Sequence, residues 1–150
     1  MRNDPDLLCW ILTKDPNPNL KRALELAANS RDPIIIDILI QHGAKVESCL
    51  AIHNATTRFD NRGIPMLDHL LQHGFDINAF ENVSGFYGKA SPLCVTAMAG
   101  RRTETKWLLE HGADPRLGNE FGTNAMDYTV LRGDEALQQV LEAWRDKLNG

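Results

Sequence analysis

The sequence predicts an all-α chain in which short helix-loop-helix units follow one another as a solenoid, and three observations carry that expectation. One phrase occurs three times, as LIQHGAK from Leu39, LLQHGFD from Leu70 and LLEHGAD from Leu108. Each copy closes a run whose apolar residues fall at helical spacing. Each also carries a glycine, Gly43, Gly74 or Gly112, where a helix needs a residue able to enter the left-handed region. Upstream of each copy lies a shorter helical segment with small residues in its middle: Ala23 to Ala28, Leu50 to Ala55, and Pro92 to Ala97. Small side chains allow close helix approach, and one such hairpin cannot bury its own apolar faces, so the units fold by stacking.

The elements follow in order. Leu7 to Lys14 with Asp15-Pro16-Asn17 reads as the second helix and ending of a unit that lacks its first helix. The next unit replaces the interhelical glycine with Arg31-Asp32-Pro33, a stretch that ends one helix and can start another. After Gly43 the helix around Leu50 comes almost at once, so the intervening finger is shortened, while Thr57 to Gly63 forms an enlarged interhelical loop. A long connector then leads from Gly74 to Ser91. The last unit opens at Asn119-Glu120-Phe121-Gly122 and continues through Gly133 to Leu141, where Glu135, Gln138, Gln139, Glu142 and Arg145 give its final helix the wet face of a terminal cap. The expected organisation is one domain over 1–150, with a half repeat at about 5–17 and repeats at about 18–46, 47–79, 80–117 and 118–150.

These residues resemble the ankyrin repeat, whose idealised unit runs G-x-T-P-L-H-x-A-A-x-x-G, a second helix, then L-L-x-x-G-A-D-x-N. Ser91-Pro92-Leu93-Cys94 stands where that family has its Thr-Pro-Leu-His turn, Gly100 stands at the break between the helices, and Leu108 to Asp114 completes the unit almost without departure. The resemblance covers almost the whole chain. It implies a solenoid with short hairpin or loop fingers and a non-enzymatic module that binds a protein or peptide through its concave face. An alternative of another class is a substrate-targeting or regulatory module of a larger enzyme, such as a ligase or modifying enzyme.

Composition narrows the function classes. The chain has 150 residues, 43% hydrophobic and 24% charged, enough apolar material for one soluble domain. A formal net charge of −4 argues against a nucleic-acid partner, because phosphate neutralisation needs clustered Lys and Arg. Cys9, Cys49 and Cys94 are odd in number and lack zinc-ligand or redox spacing, which suits reduced thiols in an intracellular chain, cytoplasmic or nuclear. The apolar run from Leu7 to Leu12 is too short for a membrane span, and Asp4 and Asp6 stand where a signal peptide wants cations, so no membrane association is expected. The sequons at Asn54 and Asn82 would matter only in a secreted chain. The stack is expected to be monomeric.

No catalytic constellation, cofactor or metal is expected. Gly85 to Ser91 has the flavour of a phosphate loop, but its glycines are too close and Ala90 occupies the magnesium-binding Ser/Thr position. His42, His73 and His111 read as helix-end residues, favoured there by the terminal carbonyls, because equivalent positions of stacked repeats lie about 10 Å apart. Cys94 reads as a buried residue, and Trp10, Trp107 and Trp144 as packing residues.

Candidate partner-binding residues come from two places. The long connector carries Phe80, Glu81, Phe86 and Tyr87, and two roles for its aromatics stay open: filling space against the neighbouring finger, or anchoring a partner. The family resemblance places variable residues near the inner-helix ends, among them Met98, Leu131 and Arg132, with the apolar pair either exposed or turned toward the next repeat. Arg101 and Arg102 with Arg132 make either a small basic patch suited to an acidic peptide or ordinary exposed loop arginines.

Overall fold

The computed structural model describes residues 5–14, 19–30, 32–47, 50–58, 63–83 and 88–150. Among the described residues there are nine helices and one two-stranded sheet, arranged in two compact units, Met1–Phe75 and Asp76–Gly150. No helix among the described residues is long and apolar enough to cross a membrane.

The first unit contains α1 (Pro5–Lys14), α2 (Leu20–Ala27), α3 (Ile34–Gln41), α4 (Ala51–Thr56) and α5 (Gly63–Gln72). Helices α2 and α3 form one hairpin, α4 and α5 another, and α2 packs on α4 while α1 packs on α3. The approach of α2 to α4 rests on small side chains, Ala28 on one side and Ala51 and Ala55 on the other, all fully buried. Leu24, Ile36, Leu39, Ile52, Leu67 and Leu70 fill the core around them.

Polar groups lock that joint. Helix α4 has only six residues and no cap from its own preceding residue, Leu50. Glu25 of α2 supplies what is missing: its Oε1 accepts from the Leu50 amide at 3.3 Å, and its backbone carbonyl accepts from Asn54 Nδ2 at 2.6 Å. In the opposite direction, Arg58 after α4 donates through Nη1 to the carbonyl of Asn29, at 2.6 Å, and to that of Ser30, just beyond the end of α2. Each hairpin thus satisfies orphan backbone groups of the other. At the start of α5 the chain passes so close to α4 that a Cβ on Gly63 would lie 2.2 Å from the Ala55 carbonyl oxygen.

The second unit opens with an antiparallel finger, β1 (Glu81–Asn82) and β2 (Lys89–Ala90), in the register Glu81 to Ala90 and Asn82 to Lys89. Helices α6 (Pro92–Met98) and α7 (Arg102–Glu110) follow, then a second turn closed by a bridge from Gly118 to Asn124, then α8 (Ala125–Arg132) and α9 (Glu135–Asn149). Ser91 caps α6 by accepting from the Cys94 amide at 3.3 Å, with Pro92 at the first helical position, where its missing N–H leaves nothing unsatisfied. Asn124 and Asp127 form a reciprocal capping box on α8. The two fingers are tied by the Glu120 amide, which donates to the Lys89 carbonyl at 3.1 Å.

Asn119 organises the second finger. Its Oδ1 accepts from the amides of Phe121 and Thr123, each at 2.9 Å, and its Nδ2 donates to the Tyr128 hydroxyl at 3.0 Å. Below it Ala90, Cys94 and Val95 pack with Val83 and Tyr128, so Cys94 is the buried residue expected. Burial pushes its thiol pKa up, which keeps it protonated and unreactive. Trp107 is buried as expected. Trp10 corrects its expectation of a packing role: 60% of it is exposed.

Gly112 shows why the repeated phrase ends in glycine. Its φ is +96°, and a Cβ there would meet nothing within 4 Å, so any penalty on substitution arises from the backbone alone. Gly112→Val is expected to lower stability by about 1–2 kcal/mol in urea unfolding, with Gly112→Asn losing less because Asn tolerates the left-handed region.

Candidate partner-binding surface

The residues singled out in the sequence fall into three settings. Phe86 and Tyr87 lie outside the described residues. Phe80, just before β1, is 42% exposed, and Glu81 is half-buried within the strand pair. The remaining five cluster around the ends of α6 and α8 and the start of α7.

Here the three arginines have different jobs. Arg101 precedes α7 with only 15% of its side chain exposed, and its Nη2 meets Glu104 Oε1 at 2.8 Å, a carboxylate that is itself buried. Arg102 is exposed and grips Asp134 through Nε, 3.1 Å from both carboxylate oxygens, and through Nη2 at 2.9 Å. Arg132 reaches from the end of α8 to donate through Nη1 to the Met98 carbonyl at 3.0 Å. Its guanidinium lies across Gly100, where a Cβ would come within 2.5 Å of Nη2, and Gly100 also has φ +69°. Glycine there serves both the turn and the arginine. The structure therefore brings Arg102 and Arg132 to one exposed locality and directs Arg101 inward.

Leu131, between these groups, is 77% exposed, and Val130 beside it is also exposed; Met98 is half-buried. Leu131 sits opposite the buried side of α8, where Ala125 and Thr129 pack. A cation fixed by a main-chain carbonyl next to an uncovered aliphatic side chain can take an apolar residue followed by a carboxylate, with little ordering entropy lost on the arginine.

Phe121 and Leu26 are among the exposed apolar groups that sequence reasoning overlooked. Phe121 at the second finger tip is 71% exposed, and its place in Asn119-Glu120-Phe121-Gly122 was a signal, because a side chain at a turn tip has no neighbour to cover it. Leu26 on α2 is exposed as well. A depression of about 340 Å³ beside α8 and α9 is lined by Pro115, Arg116, Met126, Leu141 and Arg145 among others. Arg116 in its wall is already held by Asp114 through two contacts of 2.9 Å.

No family model matches this chain. It is 29% identical over 129 residues, 83% of its own length, to Ankyrin repeat protein nuc-2 of Neurospora crassa, and the match spans 12% of that protein. The similarity supports a protein-interaction module in general terms.

Asp134 links the surface to stability. The Arg102 hydrogen bonds, followed by the Leu137 amide and the charges of Arg102 and Arg132, hold its carboxyl below the ordinary value of 3.8. A carboxyl depressed on folding stabilises the native state above that ordinary value, and the contribution is lost as pH falls through the lower folded one. Asp134→Asn keeps an acceptor for the Leu137 amide but not the ion pair. Its melting temperature is expected to lie below the parent's at neutral pH, with the gap closing as melts are taken below pH 3.8.

Proposed function

We propose, on the premise that the chain is an all-α ankyrin-repeat protein, that it acts without catalysis by holding a protein or peptide partner. The contacts assigned to that role are Leu131, Met98, Arg102 and Arg132 at the helix ends, with Phe80, Glu81, Phe86 and Tyr87 on the long finger. The observation that carries the proposal is the exposed Leu131 beside an arginine anchored to the Met98 carbonyl. Arginine is among the residues that carry most interface energy, and one already held in place loses little ordering entropy on binding, while the exposed leucine beside it adds apolar contact area. Arg101 takes the supporting role of fixing Glu104 at the start of α7.

A second reading makes the chain the targeting part of a larger catalytic system. It is favoured by the Neurospora relative, in which the similar stretch is a small part of a much longer protein. In that case the same surface holds the substrate while another domain or subunit does the chemistry.

The test is capture of partners from lysate with the parent chain, Leu131→Glu and the double variant Phe86→Ala/Tyr87→Ala, each first shown by circular dichroism to be equally folded. Leu131→Glu is expected to weaken the captured partner by at least about tenfold, or about 1.4 kcal/mol. Undiminished binding by that variant would overturn the helix-end assignment, and loss only in the double variant would move the site to the finger.

A further inference from the structure

The three copies of the repeated phrase put His42, His73 and His111 at one position, directly after an outer helix, yet their rings do different things. His42 Nδ1 donates to the Ile38 carbonyl at 2.8 Å, and His111 Nδ1 donates to the Trp107 carbonyl at 2.8 Å. Both use the carbonyl four residues back, as a helix-end histidine should. His73 instead points its Nε2 at Asp37 Oδ1 on α3, 2.6 Å away. His69, one helical turn earlier, aims its Nε2 at the same oxygen from 2.9 Å.

The position of His69 sharpens the contrast. Aligned on the phrase, it corresponds to Ile38 in the preceding unit and to Trp107 in the later one, both buried apolar residues. In the later unit the pair four apart is Trp107 and His111, stacked with ring centroids 3.9 Å apart. In the middle unit the same helical spacing holds two imidazoles, edge to face at 4.8 Å. An apolar packing position has been given to a second imidazole, and both rings converge on a carboxylate from another helix.

We propose that Asp37, His69 and His73 bind a divalent transition metal of the zinc class. Their three ligand atoms lie within 4.8 Å of one another. Ligands about 2.0–2.1 Å from a tetrahedral zinc stand about 3.3 Å apart, so the carboxylate oxygen and the two nitrogens reach that arrangement by small side-chain rotations. A carboxylate only accepts, so in the hydrogen-bonded form each ring carries its proton on Nε2; on metal binding that proton moves to Nδ1 and the Nε2 lone pair faces the ion. Two imidazoles in a set of three select against calcium and magnesium, which take oxygen ligands, and favour zinc, cobalt, nickel or copper. The side chains are 23%, 31% and 33% exposed for His69, His73 and Asp37, which leaves solvent access for a water as fourth ligand. The ion would clamp α5 to α3, joining two hairpins of the same unit.

The site is independent of the partner-binding surface and is tested without any partner. The untagged chain, kept reduced, is titrated with cobalt(II) while the visible bands of four-coordinate cobalt are followed, and zinc is then added as competitor. Thermal melts with and without zinc run in parallel. One bound ion per chain is expected, with cobalt displaced by zinc and a melting temperature that climbs with zinc concentration. His69→Ile, which installs the residue found at that place in the preceding unit, His73→Ala and Asp37→Asn should each weaken binding by more than about tenfold. His42→Ala and His111→Ala should bind as the parent does. Binding by the parent no tighter than by the His69→Ile/His73→Ala/Asp37→Asn triple variant overturns the proposal, as does equal loss in the His42 or His111 variants. The parent-to-triple comparison also decides the matter if a single variant is too unstable to measure.

Discussion

A hairpin of two eight-residue helices has more apolar surface than it can cover by itself, and everything in this chain follows from the need to cover it with a neighbour. Backbones must come close for that, so the inner helices carry alanine where they face each other, as at Ala28, Ala51 and Ala55. Close approach also removes water from helix ends, whose free amides and carbonyls then need partners from within the protein. Short helices, small contact residues and borrowed caps are three results of one packing constraint.

The same constraint separates the surface available for recognition from the surface already used. Positions facing an adjacent helix are filled by Leu24, Ile52, Leu93 and Leu108, whereas the end of α8 leaves Val130 and Leu131 uncovered. Charges divide in a similar way. Arg101 is drawn inward by the buried Glu104 while the exposed Arg102 grips Asp134, so two arginines adjacent in sequence serve different purposes. A stack of this kind needs a stiff frame first, and the frame determines which few side chains remain outside it.

Much of the frame was legible because local chemistry repeats. Glycine at 43, 74 and 112 has positive φ in every copy, and Ser91-Pro92 caps a helix as its residue types dictate. What escaped was chemistry between residues far apart in the chain. Glu25 reaches the start of α4, Arg58 reaches back to Asn29, and Asp37 gathers two histidines more than thirty residues later. No periodicity marks such pairs. The repeat even concealed one of them, since shared position made His73 look equivalent to His42 and His111. Trp10 escaped for a simpler reason: large aromatic residues on a short helix are usually covered, and sequence cannot say that this one stays mostly exposed. For the proposed binding surface, the exposure of Leu131 depended on which side of α8 meets its neighbours, a fact of assembly and not of composition.

The exchange of caps between α2 and α4 bears on the evolution of such chains. Repeat arrays grow and shrink by duplication and loss of whole units, which works when a unit carries all its own polar complements. The hairpin of α4 and α5 does not: the acceptor for its first amide belongs to Glu25, and the donor that closes the preceding hairpin belongs to its own Arg58. Copied elsewhere, either hairpin would leave part of its pairing behind. Recombination that respects the helix boundaries but parts these two hairpins would therefore produce a chain with unmet hydrogen bonds at its new seam.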